Sequence, residues 1–530
     1  MSHPPVPPTV TVRPGDVRYP ALSRGFNQRW IADPEYVRMV TSPQGVVTAL
    51  SEAVNQIPAD DDDRDRERYR DRITVRSGGH CYEDFVCGDD VRVILDVSPM
   101  CDMYYDPALE AWCVEAGATN WHVYSHLYPM SGRALPGGSC YSVGLGGHIT
   151  GGGYGLLSRQ AGLTVDYLYA VEVAVVTERR TVELVLATRD DPDPDRRDLW
   201  WAHTGGGGGN FGVVTRFWFR DPPVPPRTVL LTARSWDWNH FSKESFISLL
   251  DAYGQWFADH QDPNTASGRL FALLALNHRA AGTINLTVQV DAESEDKDDE
   301  GTQAMISFLR AVDSEAVPKS KPMVWSAAEH AAVPDAWSPR LMPWLTATQA
   351  LNGSGQNRCG KYKSAYVRRP FTRSQIEAMW GYLGNEHFQE FKNKEALIQI
   401  DSYGSAVNHP PYDTAAPQRD SIMKMQYQVY WRRPNDHDTG DEDDNLRWIR
   451  ETYRATFADT GGVPIVGNNT DGCYINYPDV DLSDKNWNTS GQPWSKLYYK
   501  EEYLRLQKAK ARWDPLNVFR NQQSVERLEL

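Results

Sequence analysis

Hydrophobic positions fall into two rhythms along this chain. From Pro43 to Ile57, Ala49, Leu50, Ala53, Val54 and Ile57 recur at three- and four-residue spacing, which predicts an amphipathic helix. The preceding Pro34–Val37 reads as a strand. Short runs rich in β-branched residues predict strands at Ile73–Arg76, Val91–Asp96, Ala111–Ala116, Ala170–Thr177, Val182–Ala187 and Gly212–Phe219. Asn120–Tyr128 reads as helical. Pro222-Pro223-Val224-Pro225-Pro226 interrupts the pattern, because proline neither continues a ladder nor enters a helix interior. Beyond it, strands at Val229–Ala233, Leu270–Leu276 and Thr283–Val290 alternate with helices such as Thr302–Ala311. No regular strand–helix alternation runs through the chain, so the class is α+β. Residues 1–20 are proline-rich and predict a poorly ordered arm, and the acid–arginine block Asp60–Arg72 predicts a solvated loop.

Glycine changes the picture. Arg76-Ser77-Gly78-Gly79-His80-Cys81-Tyr82-Glu83 leaves one predicted strand, and paired glycines let bare backbone approach a ligand. Their amides can line a phosphate-binding concavity. Gly-Gly is also an ordinary turn, which His80 could merely cap. Pro136-Gly137-Gly138-Ser139-Cys140 leads into Val143–His148 and Gly151–Gly155, and a third run covers Gly205–Gly209 with Asn210-Phe211-Gly212. Three such segments within 212 residues suggest one long ligand lying along the backbone. Gly207, Gly209 and Gly212 satisfy G-x-G-x-x-G, but that fingerprint must open a helix. Here it enters the strand-like Val213–Phe219, so a Rossmann site is excluded.

Arg76–Glu83 resembles the histidyl-flavin motif of the berberine-bridge-enzyme-like FAD oxidases, within the vanillyl-alcohol-oxidase (PCMH-type) superfamily. Pro136–Cys140 resembles their second attachment motif, where a cysteine thioether joins the flavin. Leu199–Ala202 through Gly212–Thr215, Tyr474–Asp479 and Trp513–Phe519 are similar to the family's remaining signatures, in the family's order. The resemblance implies a PCMH-type FAD-binding domain of two α+β subdomains, plus a substrate domain whose antiparallel sheet is covered by helices. On this scheme residues 21–221 and 469–530 build the FAD-binding domain, and 222–468 the substrate domain. FAD would be covalently bound through His80 and Cys140. The same motifs place Arg76, Ser77, Gly78, Gly79 and Tyr82 at the cofactor, with Gly137 and Gly138 beside the second link. Val143, Gly146, Gly147 and His148 would follow, with Gly152 and Gly153. Gly208, Asn210 and Val213 come from the third signature and Asn476 from the fourth.

Taking two hydrogens from a carbinol needs an electron acceptor, which no side chain supplies, and a base. By the resemblance the base is Tyr477, with Tyr474 three residues before it, and Asp401 or Tyr403 as its polar partner. Tyr154 could act on a second step. A free phenol titrates near 10, so Tyr477 needs help to lose its proton. Lys361-Tyr362-Lys363-Ser364 resembles a family segment lining the substrate wall. His122 and His126 sit one helical turn apart without a third ligand, so no metal site is expected.

Length and composition narrow the rest. The 530 residues exceed a single core, suggesting two or three units. A net charge of −15 argues against nucleic acid and anionic membranes. Eighteen Trp and 26 Tyr suit a planar or carbohydrate ligand. The seven cysteines are expected to be free thiols where not tied to flavin, and the start of the chain shows no basic and apolar leader pattern, so a cytoplasmic protein is expected. Cys81–Val86 and Gly146–Ser158 resemble doubly linked actinobacterial members that oxidise sugars of glycosylated natural products, such as those of lipoglycopeptide pathways. The implied reaction takes a hexose C6 alcohol through the aldehyde to the carboxylic acid, with dioxygen reduced to hydrogen peroxide by a monomer or homodimer. Alternatives are another sugar hydroxyl on an aromatic polyketide glycoside, C1 oxidation of oligosaccharides to lactones, and a flavin-free carbohydrate-binding protein on the same fold.

Overall fold

A computed structural model describes residues 9–56, 71–322, 339–432 and 442–528. Its strands form three sheets. The first contains β1 (Thr9–Val12), β2 (Tyr36–Val40), β3 (Arg72–Arg76) and β4 (Val91–Asp96), in the order β1-β2-β4-β3. β4 runs parallel to β2 and to β3, and β1 closes the edge antiparallel to β2. The helix Pro43–Asn55 is capped by Ser42, whose hydroxyl accepts from the Gly45 amide, and buries the predicted stripe Ala49, Leu50, Ala53 and Val54. The poorly ordered arm expected for residues 1–20 is corrected over its described part. Thr9-Val10-Thr11-Val12 alternates at period two and pairs from Thr9↔Val40 to Val12↔Val37, burying Val12. Most of the Asp60–Arg72 block lies outside the described residues.

The second sheet holds β5 (Met103–Asp106), β6 (Ala111–Glu115), β7 (Leu168–Val176), β8 (Val182–Thr188) and β9 (Val213–Phe219), ordered β5-β6-β9-β7-β8 and antiparallel throughout. Between β6 and β7 the chain carries the helical stretch from Asn120 to Ser131 and then the second glycine run. The His122 ring caps its own helix, with Nδ1 accepting from the Thr119 amide at 3.0 Å.

After the prolines at 222–226, the third sheet contains eight strands among the described residues. They are β10 (Thr228–Asp237), β11 (Phe271–Asn277), β12 (Thr283–Asp291), β13 (Lys321–Pro322), β14 (Arg340–Pro343), β15 (Cys359–Val367), β16 (Ala396–Ser402) and β17 (Met423–Trp431). The order is β13-β10-β12-β11-β16-β17-β15, with β14 also on β10, and all pairs are antiparallel. Helices Lys243–Asp259, Glu300–Val312, Arg373–Leu383 and Glu442–Thr456 cover one face with buried aromatics, among them Phe246, Phe308, Trp380 and Trp448. The other face is left for the site.

The chain's last described segment returns to the glycine loops. Lys510, fully buried, donates to the Asn210 carbonyl at 2.7 Å and pairs with Asp514 at 2.6 Å, while the Val525 amide donates to Asn210 Oδ1 at 2.9 Å. All seven cysteines are unbridged. Among the described residues, no helix is long and apolar enough to cross a membrane.

Candidate active site

The glycine loops and the open face of the third sheet enclose one cavity of about 680 Å³. Its cradle depends on missing side chains. A Cβ on Gly78 would lie 2.2 Å from the Gly144 nitrogen, and one on Gly144 would lie 2.1 Å from the Gly78 nitrogen. The two loops therefore touch backbone to backbone. Gly79, at φ +71°, turns the chain toward His80. Ser77 braces the turn by donating to the Ala116 carbonyl at 2.8 Å. Gly147 and Gly209 also line the cavity, and a Cβ on either would meet no protein atom within 4 Å, so a side chain there would enter the ligand space. Asn476 ties this cradle to the C-terminal region by donating to the His148 carbonyl at 2.9 Å.

Arg76, Ser77, Gly78, Gly79, His80 and Tyr82 line this cavity, as do Gly138, Cys140, Val143, Gly146, Gly147 and His148, then Gly208, Asn210 and Asn476. Four expected cofactor contacts do not. Gly137 packs its carbonyl against Gly155, where a Cβ would come within 1.6 Å. Gly152 and Gly153 hold positive φ in a turn packed on Leu163 and Thr164. Val213 points into the sheet core with no exposure, and its alternate neighbour Val214 faces the cavity. These residues shape the loops without touching the ligand space.

His80 and Cys140 share the cavity wall. The His80 ring stacks on Phe26 at 4.8 Å, and Nε2 lies 2.8 Å from Ser142 Oγ. Burial, helped by the Arg76 guanidinium, lowers its pKa to about 4, so a free lone pair is present at neutral pH. Burial raises the Cys140 thiol to about 11. His148 is also neutral, with burial and Lys424 lowering it to about 4, and its Nε2 accepts from the Gly138 amide at 3.0 Å.

The opposite wall comes from alternation in β17. Met423, Met425, Tyr427 and Val429 have no exposure and face the helices, while Lys424, Gln426, Gln428 and Tyr430 face the cavity. β16 adds Gln399 and Asp401 on the same side. Lys424 Nζ donates to Tyr477 Oη at 3.2 Å and pairs with Asp401 at 3.3 Å. The ammonium also sits 4.1 Å from the Tyr154 ring centre, 4.7 Å from that of Tyr477 and 5.1 Å from that of Tyr474. Gln399 donates to Asp401 at 2.8 Å and accepts from Gln428 at 3.2 Å. Burial pushes Asp401 up and Lys424 down, and each partly restrains the other. Tyr477 lies well above the usual phenol range through burial, Tyr82 and Asp401, and burial lifts Tyr474 to about 12.

Two expected catalytic tyrosines are placed differently. Tyr403 is buried outside the cavity lining, donating to the Gln418 carbonyl at 3.1 Å. Tyr154 presents its ring to Lys424, but its hydroxyl donates to the Ser402 carbonyl. Of the Lys361–Ser364 segment only Tyr362 lines the cavity. Sequence reasoning missed Lys424. Its signal was a lone lysine amid alternating apolar residues in Met423-Lys424-Met425, whose burial demands a partner.

Comparison with known proteins agrees with this geometry. Family profiles described as "FAD binding domain" and "Berberine and berberine like" match residues 64–181 and 473–526. An aclacinomycin-N/aclacinomycin-A oxidase from Streptomyces galilaeus is 42% identical over 96% of this chain and 88% of its own length. A hexose oxidase from Chondrus crispus is 35% identical over 96% and 93%. The crystal structure of a glycopeptide hexose oxidase complexed with teicoplanin superposes with a TM-score of 0.86 at 38% identity, covering 99% of this chain and all of the other. The chain belongs to the berberine-like FAD-linked oxidases and has their PCMH-type FAD-binding fold; it is an FAD-dependent oxidoreductase. That sets aside the flavin-free carbohydrate-binding alternative.

Proposed function

We propose that this protein oxidises a hydroxyl-bearing carbon on the sugar of a glycosylated natural product, with FAD attached through His80 and Cys140. The observation that carries the reading is the Lys424–Tyr477 contact of 3.2 Å, set on a polar sheet face across from the glycine cradle. The open backbone at Gly147 and Gly209 leaves room for a long phosphate-bearing cofactor in the cavity that His80 and Cys140 also line. FAD, when bound, supplies the electron acceptor and returns two electrons to dioxygen as hydrogen peroxide. Tyr477 takes the substrate's hydroxyl proton on Oη. Lys424 stabilises the phenolate form that accepts this proton, and Asp401, oriented by Gln399, keeps the ammonium charged and in place. Gln426 and Gln428 offer amides to a neutral, polyhydroxylated ring. Tyr154 holds the ammonium through its ring and takes no proton, because its hydroxyl is committed to Ser402.

Two substrates within this class draw equal support from the relatives: a hexose on a glycopeptide, carried from C6 alcohol to aldehyde to acid, and a sugar hydroxyl on an aromatic polyketide glycoside. Purified protein assayed for peroxide against both glycoside types separates them. The same preparation should stay yellow after denaturation and be heavier by one FAD, with His80→Ala and Cys140→Ala each retaining the mass through the other link. Tyr477→Phe should keep the flavin and lose peroxide formation. Flavin that washes off on denaturation overturns the covalent assignment, and a fully active Tyr477→Phe overturns the base.

A further inference from the structure

Behind the cavity lies a sealed cluster of charge that the oxidation chemistry does not use. Lys361 and Lys363 sit on the face of β15 turned away from the cavity, each side chain 2% exposed. Lys361 pairs with Glu83, with Asp479 at 2.8 Å and with Asp481 at 3.7 Å. Lys363 pairs with Asp479 at 2.7 Å and Asp481 at 2.8 Å, and Arg450 closes the set on Asp481 at 2.8 Å. Three cations thus meet three carboxylates, and only Arg450 reaches water appreciably, at 29%. Such a cluster is poor evidence for stability, because desolvating six charges offsets much of their attraction.

Its position along the chain suggests a purpose. Glu83 follows His80 by three residues, and Asp479 follows Tyr477 by two. Between the two lysines, Tyr362 points the other way and stacks on Tyr82 at 3.5 Å and 8°. The Val480 amide also donates to Glu83 at 3.4 Å, and Asn27 grips the Tyr82 carbonyl at 2.6 Å. The loop carrying His80 and the loop carrying Tyr477 therefore meet on one ammonium, that of Lys361.

We propose that Lys361 is a positioning residue that sets His80 and Tyr477 in one register through Glu83 and Asp479. The inference rests on the attachment and base roles proposed above. Attachment at His80 exchanges a C–H of the flavin's methyl group for a C–N bond; the C–H hydrogen and the imidazole N–H leave as two protons and two electrons, which dioxygen takes up as hydrogen peroxide. That exchange needs His80 held at the right place, and so is sensitive to Lys361. Attachment at Cys140 belongs to a different loop and is not.

The test compares two charge-balanced pairs cut from the same cluster. Lys361→Met/Glu83→Gln removes the link between the loops. Lys363→Met/Asp481→Asn removes equal charge but leaves Lys361 bridging Glu83 and Asp479. Peptide mass spectrometry of each holoenzyme measures the fraction of His80 and of Cys140 carrying flavin, beside a thermal melt. The His80-linked fraction should fall well below that of wild type in the first pair, because a displacement of ~1 Å slows a reacting group by up to about a hundredfold. The Cys140-linked fraction should hold in both pairs, and His80 linkage should hold in the second. Lys361→Arg, which keeps the cation, should restore part of the His80 linkage. Equal loss in both pairs, or none in the first, overturns the inference while leaving the doubly linked reading intact. A wild-type protein without flavin on His80 overturns that reading and this inference together.

Discussion

Replacing Lys424 with Met tests how the active-site phenol is made basic. Tyr477 Oη accepts from Lys424 Nζ at 3.2 Å, and burial, Tyr82 and Asp401 all raise its pKa well above the usual value. A hydrogen bond to a charged group is worth about 1.5–3 kcal/mol. At about 1.4 kcal/mol per pKa unit, losing it moves the phenol up by roughly one to two units. Below its pKa, each unit cuts the phenolate fraction tenfold, so turnover near neutrality should fall about 10- to 100-fold. Tyr477 titrates above the assayed range, so the rate should climb with pH in both proteins and the Lys424→Met profile should lie one to two pH units to the right of wild type. Lys424→Arg keeps the cation and should lie closer to wild type. Peroxide release and anaerobic flavin bleaching across pH 6–10, with the glycoside found to be the substrate, give the profile. A Lys424→Met rate near that of wild type, or a Lys424→Arg variant no faster than Lys424→Met, would refute the electrostatic argument and leave Lys424 as a packing residue only.

Other perturbations separate folding from function. Gly147→Ala meets no protein atom within 4 Å but projects into the cavity, so the variant should keep the wild-type far-ultraviolet circular dichroism yet carry markedly less FAD by its visible absorbance. Lys510→Met strands the buried Asp514 and should destabilise by about 3–5 kcal/mol in urea unfolding, with part regained when Asp514→Asn is added. His203, 3% exposed and bonded at Nδ1 to the Leu199 carbonyl at 2.7 Å, is lowered by burial from 6.5 to about 4. The unfolded chain then binds the extra proton first, so this contribution is present above pH 6.5 and lost as pH falls toward 4, up to ~3 kcal/mol. Acid unfolding followed by circular dichroism should show that slope, and His203→Phe should flatten it.

Local pattern was enough for much of this molecule. The stripe from Ala49 to Val54, the strand at Val91–Asp96 and the glycine loops depend on neighbours close in sequence, where period, β-branching and missing side chains speak for themselves. The family motifs were equally legible, because His80, Cys140 and Tyr477 lie inside short contiguous signatures. What the sequence left open was which side each residue faces once distant segments meet. Val213 and Val214 differ by one position, and only the pairing of β7 with β9 decides which of them reaches the ligand space. Tyr154 and Tyr403 have the chemistry of acids or bases, but the Ser402 and Gln418 carbonyls, 248 and 15 residues further along the chain, hold their two hydroxyls. Lys424 meets Tyr477 across 53 residues, and Lys361 meets Glu83 across 278. A lone lysine in an apolar run signals that it needs a partner, but which partner it meets at such a separation carries no local signature. Burial and partner are set together by the tertiary fold, and with them the pKa of every group that could act.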